Sequence, residues 1–348
     1  MEQVTISFPG LGIEEFTVNK VLFDFTLFGK SFSIRWYAVC IVIGMILACV
    51  YAVWRSRHEG IKLEDLLDMV LFAIPIGVIG ARLYYVITTL DVYKYDSLYD
   101  VIAIWNGGLA IYGGIIAGGL TVYGVCRFKK IKFFKAADMA VPAVMIGQMC
   151  GRWGNFFNGE AYGYEVAEGS ALYFLRMGLI PNIESQTRMH YFHPTFLYEC
   201  LWNLLGFIII NLLYKKKKFD GQVFYMYMSW YGFGRMFIEA LRTDSLYVGP
   251  FRVSQVVGFV CLVVGVTMLI VNLLKVRREK LAEGEYDAAY PQFKTTLSTP
   301  KDAEKAEAST DDAATADKAA PDDGDRLDES IVIPPITDIT KDQTDKKD

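Results

Sequence analysis

Seven long apolar runs joined by short polar connections constrain this chain more than any other feature of its sequence. They fall at 34–54, 66–90, 101–126, 136–157, 195–214, 223–241 and 253–274, in a chain that is 53% hydrophobic. Each approaches or exceeds the roughly 20 residues that a helix needs to cross a hydrocarbon core of about 30 Å. Trp36 and Trp54 bracket the first run and suit the two interfacial belts of a bilayer. The expected fold is an all-α integral membrane protein with seven transmembrane helices. The first run lacks a preceding basic region and is too long for a cleavable signal, so residues 1–33 are expected to form a short extracytoplasmic arm, either a hairpin or an amphipathic piece on the membrane surface.

Lysine and arginine set the expected orientation. Sixteen of them follow the first, third, fifth and seventh runs, among them Arg55, Lys129, Lys215–Lys218 and Arg277, whereas the N-terminal segment and the opposite loops hold eight. The positive-inside rule places the N-terminus outside and the C-terminus in the cytoplasm. It also accounts for the four consecutive lysines without nucleic acid. Residues 281–348 hold 18 acidic and 8 basic residues, a net of −10 in a chain of −4 overall. Their polar composition cannot bury enough apolar surface to fold, and a disordered cytoplasmic tail is expected. The domain plan is thus an arm at 1–33, a membrane catalytic domain at 34–280 and this acidic tail. Six cysteines show no CxxC spacing and only three histidines are present, which suggests neither a disulfide framework nor a metal centre.

The fourth run closes on G-R-W-G-N-F-F-N-G-E-A-Y-G at 151–163, where an apolar segment should simply be leaving the membrane. Ionisable groups at that depth are expensive and usually face a bundle interior or a polar cavity. A helix rise of 1.5 Å per residue brings Tyr37, Arg82, Arg152, Arg235 and Glu239 to the outer half of four different helices. Snorkelling explains a terminal arginine but not three within spans. Tyr231, Arg235 and Glu239 recur at i, i+4 and i+8 and share one helix face; Arg235 and Glu239 suit an ordinary ion pair, and Arg235 equally suits an anion. Arginine is matched to phosphate because its planar fork donates two parallel hydrogen bonds and never loses its charge. In the third run, six glycines around Tyr112 cost about 1 kcal/mol each in a helix. They serve either close helix packing or the approach of backbone to a bulky ligand. His193, before the fifth run, is a candidate proton carrier or a helix N-terminal residue bonded to nearby backbone.

The 151–163 motif resembles the signature of the bacterial prolipoprotein diacylglyceryl transferases, approximately G-R-x-G-N-F-x-N-x-E-x-x-G. The resemblance continues through I-R-W-Y at 34–37, G-A-R-L-Y-Y-V at 80–86, W-N-G-G-L-A-I-Y-G-G at 105–114, H-P-T-F-L-Y-E at 193–199 and Y-G-F-G-R-M-F-I-E at 231–239. It implies an enzyme of the bacterial cytoplasmic membrane, its site toward the outer leaflet. Such an enzyme carries the diacylglyceryl group of phosphatidylglycerol to the lipobox cysteine of a prolipoprotein signal peptide and needs no cofactor or metal. Arg152, Arg235, Glu160, Glu239 and Tyr112 are then the expected catalytic residues. Tyr37, Arg82, Asn155, Asn158, Gly163, Tyr231 and His193 are expected to bind substrate. Many members of that family carry a histidine, proposed as a base, where this chain has Tyr112. A tyrosine, with its ordinary pKa of about 10, is a poor base at neutral pH. A transporter for an organic anion would use the same arginines as a binding site. A membrane phosphatase or head-group transferase would call for a carboxylate cluster or a Ser/His pair that the sequence does not display.

Overall fold

The computed structural model describes residues 3–180 and 189–289. The chain runs β1 (Gln3–Phe8), β2 (Ile13–Asn19), β3 (Val21–Leu27), β4 (Lys30–Arg35), α1 (Trp36–His58), α2 (Leu63–Thr88), α3 (Leu98–Ile102), α4 (Ile111–Phe128), α5 (Phe133–Asn158), β5 (Met177–Leu179), β6 (His190–Phe192), α6 (Thr195–Tyr214), α7 (Gln222–Leu241), β7 (Tyr247–Val248), β8 (Phe251–Arg252) and α8 (Val253–Ala289). Five helices, α1, α2, α4, α6 and α8, are long and apolar enough to cross a membrane. The protein is a multi-pass membrane protein. Two further long helices, α5 and α7, dilute their apolar residues with glycine, tyrosine, glutamine and arginine. α8 runs past the boundary expected at 280; the tail expected beyond it lies, from residue 290 on, outside the described residues.

The all-α expectation is incomplete. The N-terminal arm is not a loose appendage: β1 pairs with β2 and with β5, and β5 with β6, in an antiparallel sheet ordered β2-β1-β5-β6. Successive strand residues face opposite sides, so Val4, Ile6 and Phe8 share a buried face with Met177, Leu179 and Phe192. That face covers Phe156 and Phe196, at the ends of α5 and α6. The arm and the segment after α5 thus form one layer over the end of the bundle. β3 and β4 form a separate hairpin whose turn residues Phe28 and Gly29 both have positive φ, 50° and 73°, as a two-residue hairpin turn demands.

The third run also departs from expectation, because its helix begins only at Ile111. The W-N-G-G segment before it is irregular, with Gly107 and Gly108 at φ 83° and 74°, so these two glycines carry no helix cost. Gly113 does serve packing, whereas Gly119 faces open space. A Cβ on Gly80 would lie 2.3 Å from the Ala117 Cβ and 2.8 Å from the Gly113 carbonyl oxygen, so α2 and α4 meet backbone to backbone. α6 and α7 are locked by a tryptophan exchange. Trp202 and Trp230 stack with ring centroids 4.2 Å apart, and each indole N–H donates to the other's carbonyl, at 3.1 and 3.0 Å. This fixes the register of Glu199, one turn before Trp202, against Arg235.

Near the start of α5, Asp138 is fully buried. It accepts the backbone N–H groups of Gly221 and Phe224, both at 2.8 Å, and so caps the N-terminus of α7. Lys217 lies 3.3 Å from Asp138 and 2.9 Å from Glu59. Arg55 donates to Tyr51 and Asn211 and lies 3.8 Å over the Tyr214 ring.

Candidate active site

The other end of α5 and α7 gathers a second polar cluster around a single carboxylate. Glu199, on the first turns of α6 and 7% exposed, meets three arginines: Arg152 at 2.6 Å, Arg235 at 2.9 Å and Arg242 at 2.9 Å. Arg235 makes a further ion pair with Glu239, one turn on, at 2.7 Å. Arg242, just beyond α7, clasps Asp244 through two nitrogens at 2.9 and 2.8 Å. Burial alone would raise the Asp244 carboxyl, but the adjoining Arg242 guanidinium outweighs it and holds Asp244 below the usual carboxylate range. Three guanidinium groups this close repel one another, and the buried carboxylate between them offsets that repulsion.

The 151–163 motif is split between helix and turn. Arg152 and Asn155 lie on the last turns of α5, and Arg152 donates to the Asn155 side-chain oxygen at 3.2 Å. α5 stops at Asn158 because Gly159 takes a left-handed conformation, φ 60°. The chain then turns back so that Glu160 accepts from the side-chain amides of Asn155, at 3.0 Å, and Asn158, at 3.1 Å. Glu160 therefore reaches Arg152 only through Asn155. Gly163 must be glycine: a Cβ there would lie 2.7 Å from both the His193 Cβ and the Leu241 carbonyl oxygen. Its role is to let the turn, the α6 entry and the α7 exit converge.

Tyr37 packs its ring against Gly154 of α5, where a Cβ would sit 2.8 Å away, which places it beside the motif. Tyr231 stands one turn before Arg235, with Glu199, Tyr112 and Arg152 as its further electrostatic neighbours. Tyr112, the second residue of α4, lies 3.0 Å from the Ser254 hydroxyl of α8, and Ser254 accepts a hydrogen bond from Arg235 at 3.4 Å.

Two of the expected substrate-binding residues stand apart from the cluster in their hydrogen bonding. Arg82 makes no hydrogen bond to the arginine cluster; it donates to the carbonyls of Asp100, Val101, Gly107 and Gly108 at 2.6, 2.8, 2.7 and 3.0 Å. It is a staple for the irregular segment leading into α4. His193 meets Tyr198 at 3.2 Å and is tied through its backbone to Gly163 and Tyr164. Burial lowers its pKa, as befits a residue that positions the α6 entry. Glu199, Arg242, Asp244 and Ser254 were absent from the sequence-based site.

The fold and the cluster define a multi-pass membrane protein with an arginine-rich, buried polar site at one end of its bundle. Residues 24–271 match the family model for prolipoprotein diacylglyceryl transferase. The chain is 42% identical over 247 residues to a phosphatidylglycerol–prolipoprotein diacylglyceryl transferase of Listeria innocua, covering 70% of this chain and 88% of the relative. It is 47% identical over 240 residues to that of Streptococcus pneumoniae (68% and 89%). Against that of Streptococcus mutans it is 43% identical over 245 residues (69% and 91%). The chain belongs to the prolipoprotein diacylglyceryl transferase family.

Proposed function

We propose that this chain transfers the diacylglyceryl group of phosphatidylglycerol to the lipobox cysteine of prolipoproteins, forming a thioether and releasing glycerol phosphate, as the first step of lipoprotein maturation. The observation that carries the site assignment is an unspent donor. The Nε–H of Arg235 is buried and has no partner among the described residues, although both terminal nitrogens of the same guanidinium are engaged. Such a donor costs about 1–3 kcal/mol, and an arriving phosphate oxygen would relieve that cost.

Arg152 and Arg235 hold the lipid phosphate and stabilise the charge that develops as it leaves, in a site preorganised before the substrate arrives. Glu199 and Glu239 orient the two arginines. Glu160, with Asn158, fixes Asn155 against Arg152, and Asn155 meets the head group. Tyr37 and Tyr231 line the pocket. The nucleophile is the substrate's own thiol, reactive as its thiolate, so the enzyme needs none. Seven helices span the bacterial cytoplasmic membrane, with the N-terminus outside, the C-terminus in the cytoplasm and the arginine cluster toward the outer leaflet.

The test uses purified full-length protein, phosphatidylglycerol labelled in its diacylglyceryl part and a lipobox peptide with Cys or Ser at the acceptor position. Label on the Cys peptide alone, with stoichiometric glycerol phosphate, is the expected result. Bound lipid without transfer would overturn the reading in favour of transport.

A further inference from the structure

The link between Tyr112 and Arg235 has a direction. A guanidinium carries only donors, so in the 3.4 Å contact Arg235 gives the proton and the Ser254 oxygen accepts. The Ser254 hydroxyl has one other hydrogen-bond partner among the described residues, Tyr112, at 3.0 Å. Either order leaves one O–H without an acceptor among the described residues, that of Ser254 if Tyr112 donates and that of Tyr112 if Ser254 donates. Only the order Arg235 to Ser254 to Tyr112 lets each hydrogen bond polarise the next. The Tyr112 oxygen is then filled as an acceptor, and its own O–H, which has no other partner among the described residues, is free to donate.

We infer that Tyr112 serves the transfer as a hydrogen-bond donor to the departing phosphate oxygen, and that Ser254 is the positioning residue that polarises it. This rests on the function proposed above. In the step, the cysteine sulfur attacks the terminal glyceryl carbon. The C–S bond forms as the bond from that carbon to the phosphate oxygen breaks, and the electron pair stays on that oxygen. Glycerol phosphate departs carrying the extra negative charge. The proton lost by the thiol goes to water, since a phosphate monoester with a second pKa of about 6 is mostly ionised at pH 7. Tyr112 donates a hydrogen bond to the developing charge and neither takes nor gives up a proton. A donor is useful here because Arg235 already commits its terminal nitrogens to Glu199, Glu239 and Ser254. A tyrosine O–H placed by this relay adds a neutral donor without adding a fourth cation.

The experiment compares two lipids in the transfer assay: ordinary phosphatidylglycerol, and an analogue with sulfur replacing the bridging oxygen that leaves. A sulfur leaving group carries its charge with little help from a hydrogen bond. On ordinary lipid, Tyr112→Phe should lower kcat about a hundredfold, the scale for removing one donor to a developing oxyanion. On the sulfur analogue it should stay within about threefold of the unsubstituted protein. Ser254→Ala should show the same lipid dependence at smaller size, about tenfold on ordinary lipid, and Ser254→Thr, which keeps the hydroxyl, should recover most of the loss. Combining Ser254→Ala with Tyr112→Phe should cost no more than Tyr112→Phe alone. A Tyr112→Phe defect of equal size on both lipids would assign the tyrosine to thiol deprotonation or to folding and overturn the inference. The unsubstituted protein's rate on ordinary lipid reports the functional reading separately; the inference stands on the ratio between the two lipids.

Discussion

The two polar clusters of the bundle are built around hubs of opposite charge. At one end Lys217 sits among three carboxylates, Glu59, Asp138 and Asp220, at 2.9, 3.3 and 3.7 Å. At the other Glu199 sits among three arginines, two of which pair also with Glu239 and Asp244. The fourteen helical steps of α5 from Asp138 to Arg152 separate them by about 21 Å. Their difference lies in what is left over. Asp138 has its oxygens filled by two backbone N–H groups and a lysine, so that end is closed apart from the Tyr214 hydroxyl. The arginine end leaves the Arg235 Nε–H unpartnered and Arg152 with 23% of its side chain exposed. Buried charge alone does not make a site; the arginine end differs in keeping a buried donor unspent beside a partly exposed guanidinium. The closed end holds α1, α5, α6 and α7 together so that the open end can keep like charges side by side.

That contrast is open to challenge. Arg152→Ala or Arg235→Ala should reduce kcat/KM for lipid transfer about a thousandfold per folded molecule. Asp138→Ala should act on stability instead. Removing one partner of a buried ionic network costs about 3 kcal/mol, read as a lower melting temperature in detergent, while turnover per folded molecule holds within about twofold. Arg82→Lys should fall between them. An ammonium cannot serve four carbonyls as a planar fork does, so the 100–108 segment should exchange its amide protons faster and transfer should drop about tenfold, because that segment leads directly into Tyr112. The smallest effect belongs to Asp244. Its carboxyl titrates lower folded than unfolded, so its contribution to stability is fully present above about pH 4 and fades as the pH falls through the folded value. Asp244→Asn should flatten the acid side of the melting profile without altering it at pH 7.

The sequence made the helices and the signature readable because both depend on local pattern. The fifth run was placed at 195–214, matching α6. A hairpin in the arm was one expectation, but the sheet β2-β1-β5-β6 was not, since V-T-I-S-F in isolation is too short to separate from a loop; β1 is stabilised by pairing with β5, more than 160 residues away. The third run was read as one helix because apolar residues continue through W-N-G-G, whereas two glycines with positive φ break it. Arg82 was grouped with the other arginines on depth alone, and no local signal revealed the four carbonyls that absorb it. Glu199 was visible as an acid near a helix start, but its place between three arginines depends on the Trp202–Trp230 lock, which exists only in three dimensions.

The most direct measurement is phosphatidylglycerol binding to the full-length protein in nanodiscs of a zwitterionic lipid, followed by the phosphorus resonance of the bound lipid. A distinct bound resonance that persists in Asp138→Asn and disappears when Arg152 and Arg235 are both replaced by alanine is the predicted result. An unchanged bound resonance in that double variant would place the lipid phosphate elsewhere and contradict the assignment of the open arginine cluster as the site.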